Sequence, residues 1–198
     1  MSSNDVIERL IVEASKDPLD PMKNLVIASE YEKLGQTASA VGFYLRAAEY
    51  GHDNHTLAAY SALLRVSICI DGQKNRDLTV TNVILQAMAY MPDRPEAYFL
   101  LSRFYEKKQS WQEAYTFAVL GQKFLGVQSL QTLPVSIDGY DGSYVLAFQR
   151  AISAWWIGRA EESLAILRWL ADQKDLTVLY RSAVEDNIKR IENQNVTV

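Results

Sequence analysis

Two histidines and an aspartate, in His52-Asp53-Asn54-His55, come nearer than any other run of this chain to a metal site. Three apart, the histidines would share one face of a helix. A closed site needs further ligands, and the run stands between two helical patterns, so it reads as a turn and helix cap and no metal is expected. Asp138 and Asp141 could offer oxygens to calcium. Their segment lacks the spaced ligands and terminal Glu of an EF-hand loop, and Asp138-Gly139 and Asp141-Gly142 read as turns. Glu161-Glu162 and Glu185-Asp186 are neighbours in sequence only, because adjacent helical residues point about 100° apart. Cys69, flanked by Ile68 and Ile70, reads as a small buried side chain rather than a nucleophile. With no Gly-rich phosphate loop and no Gly-x-Ser-x-Gly, the chain is expected to be no enzyme and to need no cofactor.

The residues that remain are those of a binding surface, and helices must position them. In the run 95–121, Tyr98, Leu101, Ser102 and Tyr105 fall on one helical stripe. After a polar break at 107–110, Trp111, Ala114, Tyr115, Ala118 and Gly121 form a second stripe, with small residues where a neighbouring backbone must come close. Such a hairpin cannot bury both apolar faces alone and needs others stacked beside it. Related patterns recur over 21–54, 55–92 and 144–171, the second with a longer turn at Asp71-Gly72-Gln73-Lys74-Asn75. A first helix over 4–16, capped by Asn4 or Asp5, ends before two prolines at 18 and 21. A last helix over 176–192, capped by Asp175 or Thr177, shows the polar outer face that a terminal repeat needs. The connection 126–142 is irregular, yet Leu130, Leu133, Val135 and Ile137 are too apolar for a fully solvated loop, so it is expected to be ordered and packed over one edge. The tail from Asn193 should fray.

Composition agrees with this reading. At 198 residues and 48% apolar content the chain can bury a real core as one domain or a short solenoid. The net charge of −4 is made of interleaved signs, which speaks against a nucleic-acid surface. One cysteine allows no internal disulfide, and the N-terminus has no basic region leading into an apolar run, so a reducing, cytoplasmic setting is expected. No run of about 18 uncharged apolar residues suggests a membrane span.

Counted from Pro21, the positions of Ile27, Ala28, Tyr31, Gly35, Ala40, Tyr44 and Ala47 match those of the tetratricopeptide repeat, the helical hairpin of about 34 residues. The run 95–128 resembles a second such repeat, although Asn24 and Tyr98 stand where the pattern has Trp. The resemblance implies an all-α fold, a right-handed α-solenoid of about four hairpins with terminal capping helices. It also implies a concave groove lined by the first helix of each hairpin. Carried onto this sequence, that groove would bind a protein or peptide partner through Phe99, Arg103, Glu106, Lys107, Phe148, Gln149, Trp155 and Trp156. The Lys and Asn with which chaperone-tail binders clamp a carboxylate are replaced by Leu25 and Ser29, which excludes that ligand class.

A narrower resemblance covers the C-terminal half. Trp155-Trp156-Ile157-Gly158-Arg159-Ala160-Glu161-Glu162-Ser163-Leu164 is similar to a motif in the helical region attached to some bacterial and phage family-two glycosyltransferases. No Asp-x-Asp pair and no strand-rich half accompany it, so the resemblance implies an accessory module rather than the transferase. The leading expectation is therefore a protein-binding scaffold, the second an accessory module of a glycosyltransferase system that docks on a separate catalytic chain or grips its acceptor. Self-association through the apolar ends is a third.

Overall fold

The computed structural model describes residues 3–126, 132–142 and 144–195. Ten helices run through them: α1 (Ser3–Ala14), α2 (Pro21–Lys33), α3 (Thr37–Tyr50), α4 (Thr56–Asp71), α5 (Asp77–Tyr90), α6 (Pro95–Lys107), α7 (Trp111–Gln122), α8 (Val145–Trp156), α9 (Ala160–Ala171) and α10 (Val178–Asn195). No strand occurs among the described residues. Within the chain two compact units form, one from the described residues of Met1–Ala97 and Gln128–Asp138, the other from those of Tyr98–Val127 and Gly139–Val198.

The hairpin turns repeat one device. In three of them the N–H of a residue in the left-handed region donates to the carbonyl three residues back, and the next N–H donates to the carbonyl five residues back. These are Gly35 and Gln36 on Glu32 and Tyr31, Gln109 and Ser110 on Glu106 and Tyr105, and Gly158 and Arg159 on Trp155 and Ala154. Positive φ at Gly35 (69°), Gln109 (59°) and Gly158 (81°) lets the last carbonyls of α2, α6 and α8 find donors. In the longer turn between α4 and α5 it is Asn75 that adopts φ 59°, and Gly72–Arg76 are exposed.

In the first unit, α1 packs on α2, and α2 through α5 pack each on the next, with α2 also touching α4. Pro21 opens α2 where its missing N–H is harmless, and the Asp20 carboxylate accepts from the N–H groups of Met22 (2.8 Å) and Lys23 (3.1 Å). Tyr44, Tyr60, Leu25, Ile27, Leu63, Leu64 and Ile84 are fully buried. Ion chemistry also lies inside this core. Arg94 and Glu96, 3% and 4% exposed, pair at 2.5 Å and 3.1 Å, and the Tyr60 hydroxyl donates to Glu96 while accepting from the N–H of Ala97. Burial, then the Glu96 charge, pushes the Tyr60 hydroxyl up.

In the second unit the part of α6 from Tyr98 onward packs on α7. Ser102 donates to the Ala114 carbonyl at 2.9 Å, and the Tyr105 and Phe117 rings stack at 5.6 Å. A Cβ on Gly121 would stand 2.7 Å from Tyr98 Cβ and 3.0 Å from Leu146 Cδ1, so only glycine fits there. Helices α7 to α10 pack each on the next, over a core of Ala147, Ala151, Leu167, Leu170, Leu176, Val184 and Ile191.

The helix ends differ in detail from those that the sequence suggests. Helix α1 stops at Ala14 rather than Lys16, because the N–H groups of Lys16 and Asp17 turn to carbonyls three residues back before Pro18. Asp5 lies inside α1, and the Asn4 side chain is outside the described residues. Thr177, not Asp175, meets the start of α10, through Tyr180 N at 3.4 Å; Asp175 accepts from the Tyr144 hydroxyl instead. Helix α10 runs on to Asn195, past the expected end. Leu130 and Ser143 of the irregular connection, and residues 196–198 of the tail, lie outside the described residues.

Candidate functional site

On α6 of the second unit, Phe99, Arg103, Glu106 and Lys107 follow one another at helical spacing, so one face carries them. Phe99 is buried and its ring meets that of Tyr140 at 5.3 Å. The backbone at Gly139 (φ 79°) runs against the same face, since a Cβ there would stand 3.4 Å from Arg103 Nη1 and 3.9 Å from Phe99 Cζ. Arg103 and Lys107 are exposed and Glu106 is half-buried. Burial pushes the Glu106 carboxyl above its ordinary range, and the Arg103 charge pulls the other way.

Helix α8 contributes Phe148, which meets Tyr180 of α10 edge to face at 5.5 Å. The Tyr180 hydroxyl donates to the Gly139 carbonyl at 3.5 Å. Burial raises it, and Asp141, Arg103 and Glu106 all act on it electrostatically. Phe99, Arg103, Glu106 and Phe148 therefore gather round Tyr180 and residues 139–141. Asp141, exposed in the loop before α8, accepts hydrogen bonds from the backbone of Val145, Asp141 and Tyr144; partial desolvation raises its carboxyl and those bonds act against the rise.

The other expected contact residues stand elsewhere in the unit. Gln149 is 4% exposed, and its Oε1 has no hydrogen-bond partner among the described residues. Trp155 is packed on the core of α8, α9 and α10. Trp156 is 58% exposed and stacks on Trp111 at 5.0 Å and 11°, so of the two adjacent tryptophans one goes in and the other out. A further polar knot holds α7, α8 and α9 together: Glu162 accepts from Tyr115 at 2.8 Å and from Arg150 at 2.6 Å. Burial opposes its charge, but those two donors and Arg159 hold its carboxyl below the ordinary range.

In the first unit a second constellation appears that the sequence reading did not single out. Arg65 of α4 is clamped on Glu32 of α2, with Nε at 3.0 Å from Oε2 and Nη2 on Oε1. Tyr44 donates to the same carboxylate at 2.7 Å. Burial works against the Arg65 charge, and the Glu32 hydrogen bond more than restores it. The third guanidinium nitrogen, Nη1, donates to the Ser136 carbonyl at 3.1 Å and to Asp138 at 3.3 Å. Four residues earlier on α4, Ser61 donates to the Val135 carbonyl at 3.2 Å. Burial, then Glu32, pushes the half-buried Cys69 thiol up to about 12, which makes it a poor nucleophile at neutral pH. A lone arginine in the apolar run of α4 was the available signal.

The histidines have an ordinary setting. His52 Nδ1 lies 2.8 Å from the Tyr90 hydroxyl, and His55 precedes α4 without a side-chain cap bond. Among the described residues no group of three or more His, Cys, Asp or Glu side chains could hold a metal ion, and no helix is long and apolar enough to cross a membrane.

No protein-family model matches the sequence, and no curated protein matches it. Among the solved structures that the chain resembles is that of PilW, described as a widely conserved type IV pilus biogenesis factor. The likeness has 16% sequence identity and a TM-score of 0.51 and covers 92% of this chain and 90% of that one. At that identity the likeness concerns the fold alone. Together with the packing of successive helices within each unit, it shows an all-α, tetratricopeptide-like α-solenoid fold.

Proposed function

We propose that the protein is a non-enzymatic scaffold that engages a segment of a partner protein on the faces of the first helices of its hairpins. The observation that carries this reading is the cluster of Arg103, Glu106 and Phe148 round Tyr180, which sets half-buried aromatic rings beside an exposed guanidinium on helices that the buried Phe99 supports from beneath. Aromatic residues and arginine dominate binding energy at protein interfaces. Lys107 and Trp156 extend the proposed contact surface, with Trp156 as its most exposed aromatic, and Gln149 and Trp155 hold its helix in place from the inside. The fold class supports protein partners over substrates, and the role of PilW in pilus biogenesis stays with PilW. The glycosyltransferase association finds no support in the matches, and no observation at the Trp155 to Leu164 turn favours it. A reducing, cytoplasmic setting is part of the proposal and rests on the single cysteine.

Titration calorimetry with a partner recovered from the native host tests the reading. Arg103→Ala and Trp156→Ala should each weaken binding by about tenfold or more, against no change for Gln112→Ala on the exposed side of α7. Full affinity in both first-helix variants would remove the assignment.

A further inference from the structure

In the first unit, residues 132–138 lie on α4 and alternate in burial. Leu133 and Val135 are half-buried and Ile137 is 5% exposed, while Thr132, Pro134, Ser136 and Asp138 face solvent. Such alternation belongs to a chain laid down without helix, one side chain in and the next out. What holds the segment is not the hydrogen-bond ladder of a sheet. Two backbone carbonyls, of Val135 and Ser136, accept from the side chains of Ser61 and Arg65, which stand one helical turn apart on α4.

That is how a peptide is recognised: side-chain donors read the main chain independently of sequence, and alternate side chains give selectivity. Arg65 is set up for the task in advance. Two of its nitrogens are fixed on Glu32, itself fixed by Tyr44, and this leaves Nη1 aimed at the carbonyl and the acidic side chain above it. A donor oriented by its own protein loses little freedom on binding. The hold of the segment on this wall is shallow at two of its three apolar positions, since Leu133 and Val135 are only half-buried.

We propose that this wall of α2 and α4 is a docking site for a peptide segment of the pattern apolar-x-apolar-x-apolar-acidic, and that residues 132–138 fill it as a built-in ligand which a partner segment of that pattern displaces. The inference deepens the scaffold reading and rests on it, but it concerns different residues. Asp138, exposed at 77%, adds little to the hold of the built-in segment. Its one deeply buried side chain is Ile137, so a partner segment of that pattern which buries larger apolar side chains at the two half-buried positions outcompetes it.

The test uses the full chain and a heptapeptide of residues 132–138, acetylated, amidated and labelled with a fluorophore. In a variant with 132–138 replaced by glycine and serine at equal length, anisotropy should show the peptide binding at least about tenfold more tightly than to the unchanged chain. Adding Arg65→Met to that variant, or Ile137→Asp to the peptide, should abolish the gain. Absence of binding to a helical Gly/Ser variant overturns the proposal, as does equal binding to both chains. Should the Gly/Ser variant not fold, Ile137→Ala in the intact chain decides, since a weakened built-in segment must raise peptide affinity and unchanged affinity refutes displacement. If light scattering finds a dimer that the peptide dissociates, the occupant is a second copy, and the assignment to a partner falls. Loss of this site would leave partner binding at Arg103 and Trp156 untouched, so the two readings fail separately.

Discussion

Glu106 and Arg94 show how differently charges can sit in this chain. The Glu106 carboxyl is raised by burial, with Arg103 only partly offsetting it, so ionised Glu106 opposes folding. The consequence has a definite sign. Where pH lies above the raised folded value the penalty is complete, and below the unfolded value of about 4.5 the group is neutral in both states and the penalty vanishes. Glu106→Gln should therefore raise the midpoint of thermal unfolding at pH 7 and leave it unchanged near pH 3.5; a shift of equal size at both would refute the burial argument. Arg94, by contrast, is paired, and Arg94→Met strands the buried Glu96 carboxylate. Urea unfolding should find a loss of about 3–5 kcal/mol, largely recovered in Arg94→Met with Glu96→Gln, because removing one partner is what leaves an uncompensated charge. The sequence made the α6 residues visible through their spacing. It did not reveal that Tyr140 and Tyr180 stand over them, nor that Arg65 meets Glu32 from 33 positions away, because only tertiary packing brings these together.

At the scale of the helix, small residues in a stripe were the most legible feature. Gly121 was expected where a backbone comes close, and Tyr98 and Leu146 fill that space. Gly121→Ala gains roughly 1 kcal/mol of helix propensity, yet the 2.7 Å approach to Tyr98 Cβ forces a backbone shift. We expect a net loss of about 1–3 kcal/mol in chemical unfolding, and a stabilised variant would contradict the contact. Turns were legible only where glycine marks them. Gly35 and Gly158 announce the left-handed residue, whereas Gln109 adopts it with no signal in its type, because the Ser110 to Tyr105 bond and the packing of α6 on α7 outweigh its preference. The connection 126–142 is too apolar in sequence to be fully solvated, and among its described residues the buried Ile137 agrees. That its carbonyls would find Ser61 and Arg65 depended on donors 71 to 74 residues earlier.

For the molecule as a whole, fold class was the easiest property to read, since paired amphipathic stripes at repeat spacing leave few alternatives to stacked helical hairpins. The division into two compact units was not, because it falls inside α6, between Ala97 and Tyr98, where no proline or glycine interrupts the pattern. The measurement that bears most directly on the scaffold reading is amide hydrogen exchange of the full chain with and without a partner recovered from its host. The account predicts that the partner slows exchange on the first helices α6 and α8 round Arg103 and Trp156. Protection confined to the second helices α7 and α9, with α6 and α8 unaltered, would contradict it.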